Sequence, residues 1–317
     1  MAKWTAEQIP DQAGTVAVVT GANSGLGYNT SLELARKGAH VVLGCRDEGR
    51  ANAAVARIHV EVPDADVEMR LLDLSDLDSV QLFAEGVAND LPGVDLLVNN
   101  AGVMAIPERQ TTAQGFEMQL GTNHLGHVAL TARLAPALRP DARVVGITST
   151  AHRFGTIDFD DLQKESSYSR WNAYGQSKLA NLLYGWELDR RAKEAGWKVS
   201  GLTAHPGYSA TNLQTSTSGP SAGGKRRLQT FAMKVANKVI AQSDARGALP
   251  QLYAATAPGA EGGGFYAPDR LNEQRGHPTD AKPAKGAVAA RTDGTAARLW
   301  EVSEELVGVT FDPTTGS

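Results

Sequence analysis

Residues 15–27 read TVAVVTGANSGLG. A β-branched apolar run passes directly into three closely spaced glycines, Gly21, Gly25 and Gly27, and then into the helix-compatible stretch NTSLELARKG. A strand, a glycine turn and a helix in that order form the first βα unit of a dinucleotide-binding sheet. There the first glycine makes the tight turn, the second lets backbone approach a pyrophosphate, and the third lets helix pack closely on strand. The opening turn of the helix carries N–H groups with no partner inside it, so a phosphate is expected at Gly25 and Gly27.

The same alternation continues on both sides of this unit. HVVLGC (40–45) precedes EGRANAAVARIHVEV, and VEMRLLDL (67–74) precedes DSVQLFAEGVAND. VDLLVNN (94–100), ARVVGITS (142–149) and KVSGLTAHPG (198–207) extend the series, and GGGFYAP (262–268) offers one more strand. Apolar runs separated by helices arise when a parallel sheet is covered on both faces. The predicted fold class is therefore α/β, a doubly wound parallel sheet (Rossmann fold) in three α/β/α layers.

No internal repeat or break in composition divides the chain, so a single domain is expected over residues 1–317. Two stretches stand apart. Residues 209–225 are small and polar, and Leu228, Phe231, Ala232, Val235 and Val239 then keep helical spacing. This predicts a substrate lid over 208–245. Residues 269–295, rich in Pro, Gly, Asp and Lys, read as an irregular insertion that opens a C-terminal extension over 269–317.

Composition narrows the ligand class. Lys and Arg number 31 against 35 Asp and Glu, for a net charge of -4, and no basic stripe marks a nucleic-acid partner. The lone Cys45 rules out an intrachain disulfide framework, and the seven histidines lack metal-ligand spacing. The N-terminus lacks the apolar core of a secretory signal, and no apolar run is long enough to span a bilayer. A cytoplasmic protein acting on a small molecule is expected. Lys225 to Lys238 is basic and amphipathic, but a lid over an apolar substrate accounts for it with fewer assumptions than membrane contact. A homo-oligomer is left open.

Tyr174 and Lys178 lie four residues apart, one turn along one helix face. With TGxxxGxG at 20–27, NNAG at 99–102, ITS ending at Ser149 and PGYSAT at 206–211, this chain resembles the short-chain dehydrogenase/reductase family over about residues 14–270. CRDEGRA after the second strand, TNHLGHVAL on the fifth helix, STAH after the serine and LWEVSEELVG near the end look like its retinol-dehydrogenase-like branch.

That resemblance implies an oxidoreductase that interconverts a carbonyl and an alcohol by hydride transfer. Tyr174 is then the general acid/base, Lys178 favours its phenolate and holds the cofactor ribose, and Ser149 orients the substrate oxygen. Asn123 becomes a link in a proton relay, or alternatively an Asn that bends or caps its helix. Gly21, Asn23, Ser24, Gly25, Leu26 and Gly27 would hold the cofactor phosphates. Asp73, Leu74, Asn100, Ala101 and Gly102 would line its adenine and ribose side, and Pro206, Gly207 and Thr211 would meet the nicotinamide. Phe154, Tyr168 and Trp171 are candidate pocket walls.

Cofactor choice turns on the end of the second strand. An acidic residue there binds the ribose 2′-OH of NAD, whereas an arginine suits the 2′-phosphate of NADP. Aligned on the family, Cys45 takes the acidic position and Arg46 follows, with Arg50 a turn later and Asp47 as a competing carboxylate. NADP is therefore expected, with NAD as the alternative. A nucleotide-sensing protein without turnover is the alternative function, and the complete Ser149, Tyr174, Lys178 set argues against it.

Overall fold

A computed structural model describes residues 3–208 and 242–314. Eight strands form one sheet in the order β3-β2-β1-β4-β5-β6-β7-β8. They are β1 (Val16–Thr20), β2 (His40–Cys45), β3 (Val67–Leu71), β4 (Val94–Asn99), β5 (Leu138–Ile147), β6 (Val199–Ala204), β7 (Phe265–Arg270) and β8 (Arg275–Asp280). All neighbours are parallel except β7 and β8. From β1 the chain winds outward to β3, then crosses back so that β4 pairs with the other edge of β1. Connections leave in opposite directions at that point, which opens a crevice beyond the carboxyl ends of β1 and β4.

Side-chain alternation along the strands builds a core on each face. Val19, Leu43 and Val98 face one layer with Leu34, Ala54, Ile58 and Leu252. Val18, Val42 and Leu97 face the other with Phe83, Val87, Leu130 and Leu188. The helices that supply these partners are α1 (Gly25–Arg36), α2 (Glu48–Glu61), α3 (Leu77–Asp90), α5 (Gly126–Leu134), α6 (Arg170–Ala195) and the helix Leu249–Thr256. Asp47 caps α2 by accepting the Arg50 N–H at 2.8 Å, and Asp76 caps α3 through the Asp78 N–H at 3.1 Å. The short α4 (Met118–Leu120) runs into α5 through a wider π-helical turn at Gly121–Leu125. Such turns interrupt the regular ladder and concentrate at functional sites.

Residues 269–295 are not the irregular insertion their composition predicts. They contain β8, which pairs antiparallel with β7, and the helix Lys285–Thr292. β8, with the sequence RGHPTD, is an edge strand, where proline is tolerated and no apolar face is needed, so it carries no hydrophobic alternation. Most of the expected lid (208–245) lies outside the described residues.

The C-terminal helix Thr295–Val307 packs on α6 through Trp300, whose ring stacks on Tyr184 with centroids 4.7 Å apart and planes 10° from parallel. Truncating so deeply buried an aromatic side chain leaves a cavity. Trp300→Ala is expected to cost about 3–5 kcal/mol, read as a lower urea midpoint with an unchanged slope. A midpoint equal to that of the unaltered chain would show that the C-terminal helix does not stabilise the fold.

Candidate functional site

The glycine turn forms a cradle at the mouth of the crevice. Gly21 has φ 64°, open to glycine at little cost. A Cβ on Gly27 would lie 2.5 Å from the Gly21 carbonyl oxygen and 2.6 Å from Asn100 Nδ2, so helix and turn approach as closely as the spacing predicts. Ser24 precedes α1 in extended conformation and its side chain makes no capping bond. The first amides of α1, those of Leu26 and Gly27 among them, thus take no bond from the Ser24 side chain. Asn23 lies in the same turn and its backbone amide approaches Cys45, as described below. This is a shape and donor set that fits a pyrophosphate.

Asn100 clasps the turn to β4. Its backbone N–H and that of Ala101 both donate to Thr20 Oγ1 at 2.9 Å, and its Nδ2 donates to the Thr20 carbonyl at 2.8 Å. Gln251 Nε2 reaches Asn100 Oδ1 at 3.3 Å.

At the end of β2, Cys45 is buried beneath the loop. Burial pushes its thiol up to about 11, against hydrogen bonds from the backbone amides of Ala22 and Asn23. Arg46 is 71% exposed, with Nε 4.0 Å from Asp73 Oδ2. The Asp73 carboxylate accepts from the Ser75 N–H at 2.9 Å and the Ser75 hydroxyl at 2.6 Å. It is thus a turn former beside Arg46, while Asp76 caps the helix. Leu74 is buried, and its carbonyl lies against Gly126 on α5. The competing carboxylate, Asp47, is committed to capping α2.

Deeper in the crevice the predicted catalytic residues converge. Ser149 lies two residues past the end of β5 and starts a one-turn helix over Thr150–Arg153. Its Oγ accepts the Ala151 N–H at 3.3 Å, and its hydroxyl hydrogen-bonds Tyr174. Tyr174 and Lys178 are both buried on α6, with Lys178 Nζ 5.9 Å from the centre of the Tyr174 ring. A Cβ on Gly102 would lie 3.0 Å from Asn123 Oδ1 and 3.5 Å from Lys178 Nζ, so the loop after β4 closes over the same spot.

The electrostatics differ from the expected pairing. Burial pushes the Tyr174 phenol up, with the Ser149 hydrogen bond pulling it down, and Lys178 is not among the causes. The ammonium instead donates to the Ile147 carbonyl at 3.0 Å, a carbonyl shared with Asn181 Nδ2 at 3.0 Å. Burial brings Lys178 down to about 8. A low-dielectric site penalises both charged forms, and this outweighs their attraction across the gap.

Asn123 occupies the π-helical turn, and its amide is fully engaged. Oδ1 accepts the Val103 N–H at 2.7 Å, while Nδ2 donates to the Val103 carbonyl and to Ser177 Oγ at 2.9 Å each. In this arrangement the side chain clamps the loop after β4 to α6.

Four supporting residues escaped the motif reading: Thr20, His127, Ser177 and Asn181. His127 Nδ1 lies 2.9 Å from the Asn123 carbonyl, which can only accept. Its Nε2 therefore accepts the Thr20 hydroxyl proton at 2.9 Å. Burial brings this imidazole down to about 3, so it remains neutral. Two histidines three apart in TNHLGH were the only signal, and spacing alone assigns them no partner.

Pro206 and Gly207 follow β6, and the Pro206 carbonyl accepts from Gln242 Nε2 at 2.7 Å. Thr211 and the segment Lys225 to Lys238 lie outside the described residues. Of the candidate pocket walls, Trp171 is 47% exposed and meets Tyr174 edge-on at 6.4 Å. Phe154, 55% exposed, lies over Gly175 next to it. Tyr168 is tied instead into the loop after β4, where its hydroxyl donates to the Ile106 carbonyl at 2.8 Å.

Known proteins resemble this chain in sequence and fold. A family model described as short chain dehydrogenase fits residues 15–220. Retinol dehydrogenase 12 of Homo sapiens is 38% identical over 303 residues, covering 94% of this chain and 88% of the relative. A crystal structure of an uncharacterised protein from Mycobacterium paratuberculosis is 41% identical, covers 98% of this chain and all of its own, and superposes with a TM-score of 0.79. A Shigella flexneri short chain dehydrogenase complexed with NADP shares the fold, at 20% identity and a TM-score of 0.60 over 81% of this chain and 98% of its own. The chain belongs to the short-chain dehydrogenase/reductase family of NAD(P)-dependent oxidoreductases.

Proposed function

We propose that this protein is an NADP(H)-dependent oxidoreductase that interconverts an apolar aldehyde or ketone with its alcohol, using Tyr174 as general acid/base. The observation that carries the proposal is the convergence of a part-buried Ser149 with the buried Tyr174 and Lys178 at the crevice beside Gly102. When bound, the nicotinamide supplies or accepts the hydride and, oxidised, adds a positive charge that favours a phenolate.

The chain's own groups do the rest. Ser149 can donate to a substrate oxygen and hold it against the Tyr174 hydroxyl. Burial keeps Tyr174 protonated at neutral pH, the form that delivers a proton to a developing alkoxide. Lys178, on the turn beyond, is placed to reach ribose hydroxyls once it leaves the Ile147 carbonyl. Asn123, through Val103 and Ser177, fixes the loop after β4 against the helix that carries Tyr174. Phe154 and Trp171 give the mouth an apolar rim, consistent with an apolar substrate of the kind named for the retinol dehydrogenases. A nucleotide sensor without turnover would not need the serine and tyrosine hydroxyls hydrogen-bonded at the crevice.

For the cofactor, β2 ends in a neutral thiol and an exposed guanidinium, with Asp47 engaged elsewhere. Arg46 is suited to a 2′-phosphate through its planar fork.

Tyr174→Phe should bind NADPH with unchanged affinity and lose turnover by about 100-fold or more; an undiminished kcat would remove Tyr174 from the proton transfer. Arg46→Glu should lower kcat/KM for NADPH by about tenfold or more while leaving NADH within a few fold, since a charge-assisted phosphate contact is lost. Faster turnover of NADH than NADPH by the unaltered chain would overturn the NADP assignment.

Lys178 also makes stability depend on pH. Its ammonium persists to about 8 in the fold against an ordinary 10.5. Below pH 8 both folded and unfolded chains are charged, and the buried charge weakens the fold in full. Between those values the unfolded chain binds the extra proton, so stability rises with pH. Asn181 keeps the Ile147 carbonyl satisfied without it. Lys178→Met should therefore melt higher than the unaltered chain at pH 7, with the gap shrinking by pH 9.5. A gap that is constant or widens over that range would contradict the burial of a charged lysine.

A further inference from the structure

On the side of the crevice facing the C-terminal part of the chain, three segments meet at one carboxylate. β7 turns into β8 through Leu271, Asn272 and Glu273, three consecutive non-glycine residues with φ of 50°, 54° and 66°. Left-handed backbone at such residues is strained and persists where the surroundings over-determine it.

Here the surroundings act through the Glu273 side chain, 12% exposed. Its Oε2 accepts from Arg153 at 2.6 Å and from His205 Nε2 at 3.1 Å, and its Oε1 accepts the Lys282 N–H at 2.7 Å. Burial alone would raise this carboxyl, but the bonds from His205 and Lys282 and the charge of Arg153 hold it at about 2.

Each partner leads back to the site. His205 is fully buried, and its Nδ1 accepts the Gly207 N–H at 3.1 Å, which places its own proton on Nε2, facing Glu273. Gly207 has φ 69°, and a Cβ there would collide with the Gln274 carbonyl, which also accepts the Tyr208 N–H at 2.8 Å. Arg153 ends the turn that Ser149 begins, and His152 in that turn donates from Nδ1 to the Ser149 carbonyl at 2.7 Å.

We propose that Glu273 is a positioning residue: by holding Arg153 and His205 together it fixes the Ser149 turn relative to the Pro206–Gly207 turn. It thereby sets the gap between the group that orients the substrate oxygen and the segment that meets the nicotinamide. The functional half rests on the roles proposed above for those two turns. The structural half, coupling of the two turns, stands on the bonds alone.

Hydrogen exchange by mass spectrometry on the full chain tests the coupling without any substrate. Glu273→Ala should speed exchange at least tenfold both in 150–154 and at Gly207 and Tyr208, with Glu273→Gln, which keeps an acceptor, intermediate. Arg153→Met should speed only the first segment. With NADPH and all-trans-retinal, folded Glu273→Ala should lose kcat at least tenfold while its NADPH Kd moves less than threefold, and adding Arg153→Met should cost nothing more. Faster exchange confined to the β7–β8 turn, or a kcat within twofold of the unaltered chain, would overturn the proposal. If the unaltered chain oxidises no NADPH in the presence of all-trans-retinal, the oxidoreductase assignment to this substrate class falls, and the exchange pattern alone decides the coupling.

Discussion

A lysine ammonium buried at the carboxyl end of β5 is the constraint around which the site is arranged. Such a charge is tolerated inside a protein only where it is hydrogen-bonded, and the Ile147 carbonyl provides the acceptor at 3.0 Å. Thr148 tightens the same junction by donating to the Lys178 carbonyl at 2.6 Å, and Asn181 adds a bond to Ile147. These contacts lock α6 onto the end of β5, and that lock brings Tyr174 against Ser149.

A second polar chain ties the end of β1 to the loop after β4 and to the π-helical turn. Thr20 accepts two amides from the loop after β4 and donates to His127, which donates to Asn123. Every donor and acceptor in this run is matched, which is why so many polar groups can sit in a packed interior. The glycine turn, the NNAG loop and the π-helical turn therefore form one unit. Asn123 joins this unit to α6 through Ser177.

Charge at the two ends of the crevice is distributed differently. Where β2 ends, Arg46 is exposed beside Asp73 and Cys45 is neutral. Deeper in the crevice Tyr174 and Lys178 are shielded from water, so a charge brought beside them would act with little screening. Phe154 and Trp171 carry the apolar character of the interior out to the rim, next to the tyrosine.

The sequence by itself determined the layered sheet and the glycine cradle, and it put Tyr174 and Lys178 on one helix face. Each depends on short-range rules: apolar runs of strand length, a turn that only glycine satisfies, and a helix that brings positions four apart onto one face. The tertiary structure alone decided the rest. β8 was hidden because an edge strand needs no apolar alternation. Asn123 reads equally as a relay or as a helix bend until Val103 and Ser177 are seen on either side of it. Lys178 next to Tyr174 predicts an acidic phenol, yet desolvation, a property of everything packed around the pair, reverses the direction. Glu273 has no motif at all, and its partners Arg153 and His205 lie 120 and 68 residues away in the chain. Local spacing encodes which groups a helix or turn presents, but burial and long-range hydrogen bonds, which set what those groups do, exist only once the layers have closed.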